Sequence, residues 1–423
     1  MVILHKENLS EKKFNILVIG INYSPEPTGS APYTAGLAEM LAGAGYRVEA
    51  FVGVPHYPWW SALPQDRFRL RRSELRNGVH VRHHRHFVPG KQTMFRRIAW
   101  ELTFYCNVRV SKPKNQPDLV IASTPSLSGA LLGVHFSKTF RVPLITVVQD
   151  VVGEAVTKSG LKVGDMVGKK VVNIEQAVFR KSSRVCIVSS NFRQYVIKSK
   201  LSTDHILDFP NWSHIPSPTK TRAEARSELG WSEEDFILLH TGNMGLKQDL
   251  GNLIQTAKLF ENEPKFHIIL CGDGNQKSKL EKLALGVLQI EFMDPVSDSE
   301  FPNLLTAADI LIVNERDSVG NMSLPSKLTS YLVIGKPIIA AVNPIGACAT
   351  ELEKTHGAAI IVNAGEPTSL AAAIRSLAQN TEVMSRMSGL GRDYAELFLS
   401  SSSARVSITS LVSELIRSGV ELN

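Results

Sequence analysis

FNILVIGIN (residues 14–22), YTAGLAEMLAGAG (33–45) and VEAFVG (48–53) follow one another near the start of the chain, and their reading decides the fold. The first and third are nearly unbroken apolar runs of strand length. The middle stretch spaces its apolar residues as a helix does and stops at glycine. A strand that is apolar on both faces must be covered on both, which parallel sheets achieve with crossover helices. DLVIAST (118–124), PLITVVQ (143–149) and RVCIVSS (184–190) extend the series. It breaks at DFPNWSHIPSPTK (208–220), which holds three prolines and no helical period. The pattern then restarts with FILLHTGN (236–243), FHIILCGDG (266–274), IEFMD (290–294), DILIVNE (309–315), KPIIAAV (336–342) and AAIIVN (358–363).

The sequence therefore predicts an α/β protein of two doubly wound Rossmann-like domains facing a central cleft. The first domain covers 1–208, a linker 209–220 and the second domain 221–400; a C-terminal helix over 401–423 is free to pack back on the first domain. Ligands of such sheets bind at the carboxyl ends of the strands, so residues that carry chemistry should stand just after strands.

Composition fits two packed cores. Of 423 residues, 43% are hydrophobic and 21% charged, which excludes a largely disordered chain. The four cysteines, Cys106, Cys186, Cys271 and Cys348, are far apart and lack metal-ligand spacing. Cys186 and Cys271 lie in or beside apolar strands, so buried, reduced thiols are expected. MVILHKENLSEKKFN has no signal-peptide core, and nowhere do about 18 apolar residues run together. A cytoplasmic protein is the expectation.

The net charge of +7 is concentrated: residues 1–110 carry 15 Lys and Arg against 8 Asp and Glu. The basic segment 67–110 includes RFRLRRSELR (67–76) and RHHRH (82–86), then FRRIAWELTFYCNVRV (95–110), where arginines alternate with aromatic residues. Such a segment suits peripheral contact with an anionic membrane, although a solvated face over a core-facing aromatic stripe accounts for the same residues. No nucleic-acid motif accompanies it, so nucleic acid is not expected as a partner. His80, His83, His84 and His86 read as a surface strand rather than a metal site, because no carboxylates adjoin them.

Five stretches carry candidate chemistry. In INYSPEPTGSAPYTAGLAEML (21–41), Gly29 and Ser30 precede a helix whose free amides could meet a phosphate; the same glycine is also what an ordinary turn needs. In LLHTGNMGLKQDLGNLI (238–254), Gly242, Asn243 and Gly245 form a tight loop, with Lys247 at the start of the next helix. A diphosphate would need such a cation, and a solvated lysine is the alternative. In CGDGNQKSKLE (271–281), Gly272 and Gly274 flank Asp273 at a strand end. In NMSLPSKLTSYLVIGKPII (321–339), Pro325 suits a first helical turn and places Ser326 and Lys327 at the helix N-terminus. In VVQDVVGE (147–154), Asp150 follows a strand, where it could orient a hydroxyl or cap a helix.

INYSPEPTG, VPHYP (54–58), VVQD, FPNWS (209–213), HTGNMGLKQ, CGDGN and LPSKL occur in this order across most of the chain. In them the chain resembles retaining family-4-type glycosyltransferases of the glycosyltransferase-B fold, in particular the WcaI-type enzymes of colanic-acid and exopolysaccharide synthesis. The resemblance implies a nucleotide-diphosphate-sugar donor held by the second domain and a glycan or lipid-linked glycan acceptor held by the first. It implies no cofactor and no obligatory metal. Gly29 would lie beside the donor diphosphate, Lys247 would bind phosphate, and Asp150 would serve the acceptor side. Asn243 stands where many relatives have arginine. Many relatives also carry two glutamates with seven residues between them; here those positions hold Met322 and Ser330. Ser326 and Lys327 would take over part of that contact, while Glu315 has the wrong offset. The rival readings are a UDP-sugar epimerase of the same architecture and a non-catalytic scaffold in a membrane assembly for polysaccharide.

Overall fold

The computed structural model describes residues 13–27, 29–66, 69–90, 93–151, 153, 162–319 and 327–420. They divide into two compact units, residues 1–209 with 405–423, and residues 210–404.

The first unit is built on eight strands, β1 (Asn15–Gly20), β2 (Arg47–Gly53), β3 (Arg71–Arg76), β4 (Val79–His84), β5 (Leu119–Ser123), β6 (Leu144–Val148), β7 (Arg184–Ile187) and β8 (Ile206–Asp208). They lie in the order β3-β4-β2-β1-β5-β6-β7-β8. Every neighbouring pair is parallel except the β3–β4 hairpin. The helices α1 (Ala31–Gly43), α2 (Met94–Arg109) and α3 (Leu127–Phe140) supply crossovers and cover. Trp100, Phe104 and Val108 recur every four residues along α2, so one stripe of that helix is buried. The C-terminal helix Ser401–Val420 is tied into this unit where Tyr46 Oη meets Ser413 Oγ at 2.8 Å and Arg184 pairs with Glu414 at 2.5 Å.

The second unit has six parallel strands, β9 (Phe236–Thr241), β10 (Phe266–Cys271), β11 (Ile290–Met293), β12 (Ile310–Asn314), β13 (Ile338–Val342) and β14 (Ala359–Asn363), in the order β11-β10-β9-β12-β13-β14. Alternation along the strands divides the core in two. Ile237, Leu239, Ile269, Leu311, Val313 and Ala340 pack on one face. Leu238, Ile268, Leu270, Ile310, Ile312 and Ile339 pack on the other. Both faces are apolar, which is why these strands read as continuous hydrophobic runs. Arg226 is fully buried, yet its guanidinium is satisfied: it donates to Ala307 O, Ser232 O and Asp235 O at 2.9 Å and to Asp309 Oδ2 at 2.6 Å.

One expectation fails here. His83 and His84 are fully buried and His86 nearly so; only His80 faces solvent. β4 lies inside the sheet between β3 and β2, and its histidines are absorbed by hydrogen bonds. His83 Nε2 meets Glu74 at 2.8 Å and His84 Nε2 meets Ser111 Oγ at 2.9 Å. Burial, helped by the Arg71 charge, pushes His84 down to about 3, so it stays neutral. All four cysteines are free thiols, with Cys186, Cys271 and Cys348 buried. No helix among the described residues is long and apolar enough to cross a membrane.

Candidate functional site

In the second sheet the chain moves outward from β9 to β11 and then returns to the other side of β9 for β12. The carboxyl ends of β9 and β12 therefore flank a topological switch point, where open α/β sheets bind ligands. Gly242, Asn243, Gly245 and Lys247 leave β9 there, Gly272 and Gly274 leave β10, and Lys327 opens the helix Lys327–Ile334.

The two glycine loops are fastened together. Gly242 N donates to Cys271 O at 2.8 Å, Met244 N to Asp273 O at 2.8 Å, and Gln276 N to Met244 O at 3.0 Å. A Cβ on Gly272 would stand 1.9 Å from Gly242 O, and one on Gly274 would stand 2.6 Å from Met244 O. Only glycine lets the backbones come this close. Asn243 and Gly245 face Gln248, whose Oε1 accepts from Asn243 Nδ2 at 3.5 Å and from Gly245 N at 3.2 Å.

Lys247 does not begin a helix. The helix starts at Gly251, because Asp249 takes a left-handed conformation at φ 47° and interrupts it. Asn314, at the end of β12, donates to Gln248 O at 2.7 Å and to Asp249 O at 3.1 Å. Arg316 N donates to Lys247 O at 2.8 Å. These bonds hold the turn against the switch point and leave the Lys247 side chain exposed.

Lys327 lies deeper. Its Nζ is 3.0 Å from His240 Nε2, beneath Gly242, where an added Cβ would be 3.8 Å from that nitrogen. Burial lowers the Lys327 amine to about 7 even though the Glu315 charge opposes the shift. Burial likewise raises the Glu315 carboxyl to about 7 against the pull of Lys327 and Lys247. His240 is held well below its usual value by burial and by Lys327. Sequence reasoning set Glu315 aside and missed His240, since neither stands in a glycine loop or at a helix start. Ser326 and Met322 fall outside the described residues, and Ser330 lies in the first turns of the Lys327 helix.

In the first unit, Gly29 takes φ 71° in the turn after β1, and an added Cβ would touch the Tyr57 ring at 3.4 Å. Ser30 is the N-cap residue of α1 but makes no side-chain cap. Asp150 follows β6, where its Oδ1 accepts from Val151 N at 2.8 Å. Thr124, at the end of β5, donates to Asp150 O at 3.3 Å. Beneath Tyr57 lies a buried group that the motifs concealed. Glu26 Oε1 accepts from His56 N at 2.8 Å, from Tyr57 N at 2.9 Å, and lies 3.1 Å from His56 Nδ1. Trp100 Nε1 donates to His56 Nε2 at 3.2 Å. Burial alone would raise Glu26, but the hydrogen bonds from His56 and Tyr57 outweigh it and hold the carboxyl below its usual value. Glu26 and His56 thus lock the INYSPEPTG loop to VPHYP.

Residues 28–212 match the family described as glycosyl transferase 4-like domain, and residues 221–393 match glycosyl transferases group 1. Together the two matches span most of the chain, and the chain is a glycosyltransferase. WcaI of Escherichia coli (strain K12), provisionally assigned as a colanic acid biosynthesis glycosyl transferase, is 28% identical to this glycosyltransferase over 90% of the chain and 95% of its own length. Among solved structures, sucrose-phosphate synthase from Thermosynechococcus elongatus superposes with a TM-score of 0.72 at 15% identity, covering 96% of this chain and 100% of its own. Anabaena HepE in complex with UDP gives a TM-score of 0.65 at 18% identity, covering 95% and 100%. These likenesses establish the glycosyltransferase-B fold. The family matches and the kinship with WcaI favour glycosyl transfer over the epimerase and scaffold readings.

Proposed function

We propose that this glycosyltransferase moves a sugar, with retention of configuration, from a nucleotide-diphosphate-sugar to a polysaccharide precursor or lipid-linked oligosaccharide of the exopolysaccharide or colanic-acid type. The observation that carries the donor half is the meeting of two glycine loops with Lys327 and Lys247 at the switch point of the second sheet. Close backbones and two cations suit a diphosphate, which is the charge that develops as the sugar leaves. HepE, solved with UDP and with UDP-glucose, supports this donor class. The acceptor class rests on the kinship with WcaI. The new glycosidic C–O bond forms as the bond from the sugar to phosphate oxygen breaks. The electron pair goes to the departing diphosphate, which also takes the acceptor proton, and Asp150 orients the acceptor hydroxyl. Lysine and amide donors carry the phosphate charge in this reading, with no obligatory metal.

We also place the enzyme at the cytoplasmic face of an anionic membrane. Phe95 is 82% exposed, and with Ile98 and Leu102 it forms a solvent-facing stripe on α2 beside Arg96 and Arg97. Residues 67, 68, 91 and 92 of the basic segment lie outside the described residues.

The first test is thermal melting with UDP-, GDP- and ADP-sugars in metal-free buffer, with a CMP-sugar, which carries one phosphate only, as the negative control. One base should raise the midpoint in a concentration-dependent way. That donor, incubated with a lipid-linked glycan, should yield free nucleoside diphosphate and a product whose anomeric configuration matches the donor. An inverted product, or a donor that binds only with added divalent metal, would overturn the corresponding part of the reading.

A further inference from the structure

His240 is the penultimate residue of β9 and is fully buried. Its Nδ1 lies 3.1 Å from Ile312 O of β12. A carbonyl can only accept, so the ring proton is on Nδ1 and Nε2 is an acceptor. Lys327 Nζ donates to that acceptor at 3.0 Å. Among the described residues this bond takes one of the three N–H donors of the ammonium. The lysine side chain is flexible by nature, but here its far end is pinned to a ring that is itself pinned across two central strands. Directly above it is Gly242, an exposed residue without a side chain, so nothing at that position covers the ammonium. Glu315, at the end of β12, and Cys348, on the helix Ala347–Glu353, face the same ammonium, and Lys247 acts on Glu315.

We propose that His240 is a positioning residue for donor binding: it holds the Lys327 amine beneath Gly242, so that the diphosphate meets a hydrogen-bond donor already ordered. This rests on reading the loops after β9 and β10 as the donor-diphosphate site. Without the ring, Lys327 would have to be ordered when the donor arrives, a cost that corresponds to about tenfold in affinity. The surrounding core keeps His240 neutral, so the acceptor persists across the working pH range.

The test measures dissociation constants of UDP, GDP and ADP by titration calorimetry on the full chain. The variants are His240→Leu, His240→Gln, Lys327→Met and the double variant His240→Leu/Lys327→Met, each checked for native circular dichroism. His240→Leu should weaken the preferred nucleotide about tenfold. His240→Gln, which keeps an acceptor at that reach, should stay within about threefold of wild type. In the Lys327→Met background, His240→Leu should have no further effect, an outcome that a merely structural histidine would not produce. If His240→Leu fails to fold, the Gln and Met variants decide: Gln as weak as Met overturns the proposal. Equal weakening by His240→Leu in both backgrounds also overturns it, as does wild-type affinity in His240→Leu. Wild-type affinity in Lys327→Met would overturn it while leaving the donor-site reading intact. If the wild-type chain binds none of the three nucleotides, the donor-site reading falls and the proposal with it.

Discussion

Lys327 is a buried amine, and replacing it with methionine should change how stability depends on pH. In the folded chain the amine sits at about 7, against 10.5 for an ordinary lysine. Between these values the unfolded chain holds a proton that the native site has released, so native stability rises with pH through that window. Below pH 7 the ammonium is present in both states and contributes no slope. One group contributes at most about 1.4 kcal/mol per pH unit, or about 2.7 kcal/mol from pH 7 to pH 9. For a unit the size of residues 210–404 this corresponds to about 5 to 10 °C in melting midpoint. Relaxation around the site makes these figures a ceiling. The assay is differential scanning calorimetry of wild type and Lys327→Met at pH 7 and pH 9, following the transition that belongs to the second unit. The rise in midpoint from pH 7 to pH 9 should be larger in wild type by several degrees. Comparing the two chains cancels Lys336, also lowered by burial, to about 8, and every other group that titrates there. Parallel changes in the two chains would refute the buried-amine assignment. The same substitution should weaken nucleotide binding, the signature of a group kept for function at a cost in stability.

Three further outcomes follow from the geometry. Gly272→Ala should destabilise the second unit by about 1–3 kcal/mol and abolish nucleotide binding, because its Cβ would meet Gly242 O at 1.9 Å; calorimetry and nucleotide titration read both effects. Glu26→Gln should flatten the acid limb of stability below pH 4.5, since the wild-type carboxylate contributes stability above its unfolded pKa and loses it as pH falls through the depressed folded value; urea unfolding from pH 3 to pH 6 checks this. Replacing Arg96 and Arg97 with Gln should weaken binding to phosphatidylglycerol vesicles by about thirtyfold, and Phe95→Ser should weaken it further; co-sedimentation unchanged by either would remove the membrane assignment.

Much of the fold was legible in the residue order. A parallel strand buried on both faces leaves an unbroken apolar run, so β1, β2, β5, β6, β9, β10, β12 and β13 could be read directly. Glycines after strands were legible for the same reason: Gly242 and Gly272 stand where two backbones close, and no other residue fits. The β3–β4 hairpin was not, because RHHRH looks polar until tertiary hydrogen bonds to Glu74 and Ser111 let its histidines enter the core. The start of the helix at Gly251 was set by Asn314, whose amide holds the carbonyls of Gln248 and Asp249, 66 and 65 positions earlier in the chain. His240, Glu315 and Lys327 come together only when β9 and β12 pair and the Lys327 helix returns over their ends. Strand type is a local property of side-chain burial, which a sequence records. A shifted proton affinity depends on which groups the chain brings together and how far it removes them from water, and that is decided by the tertiary structure.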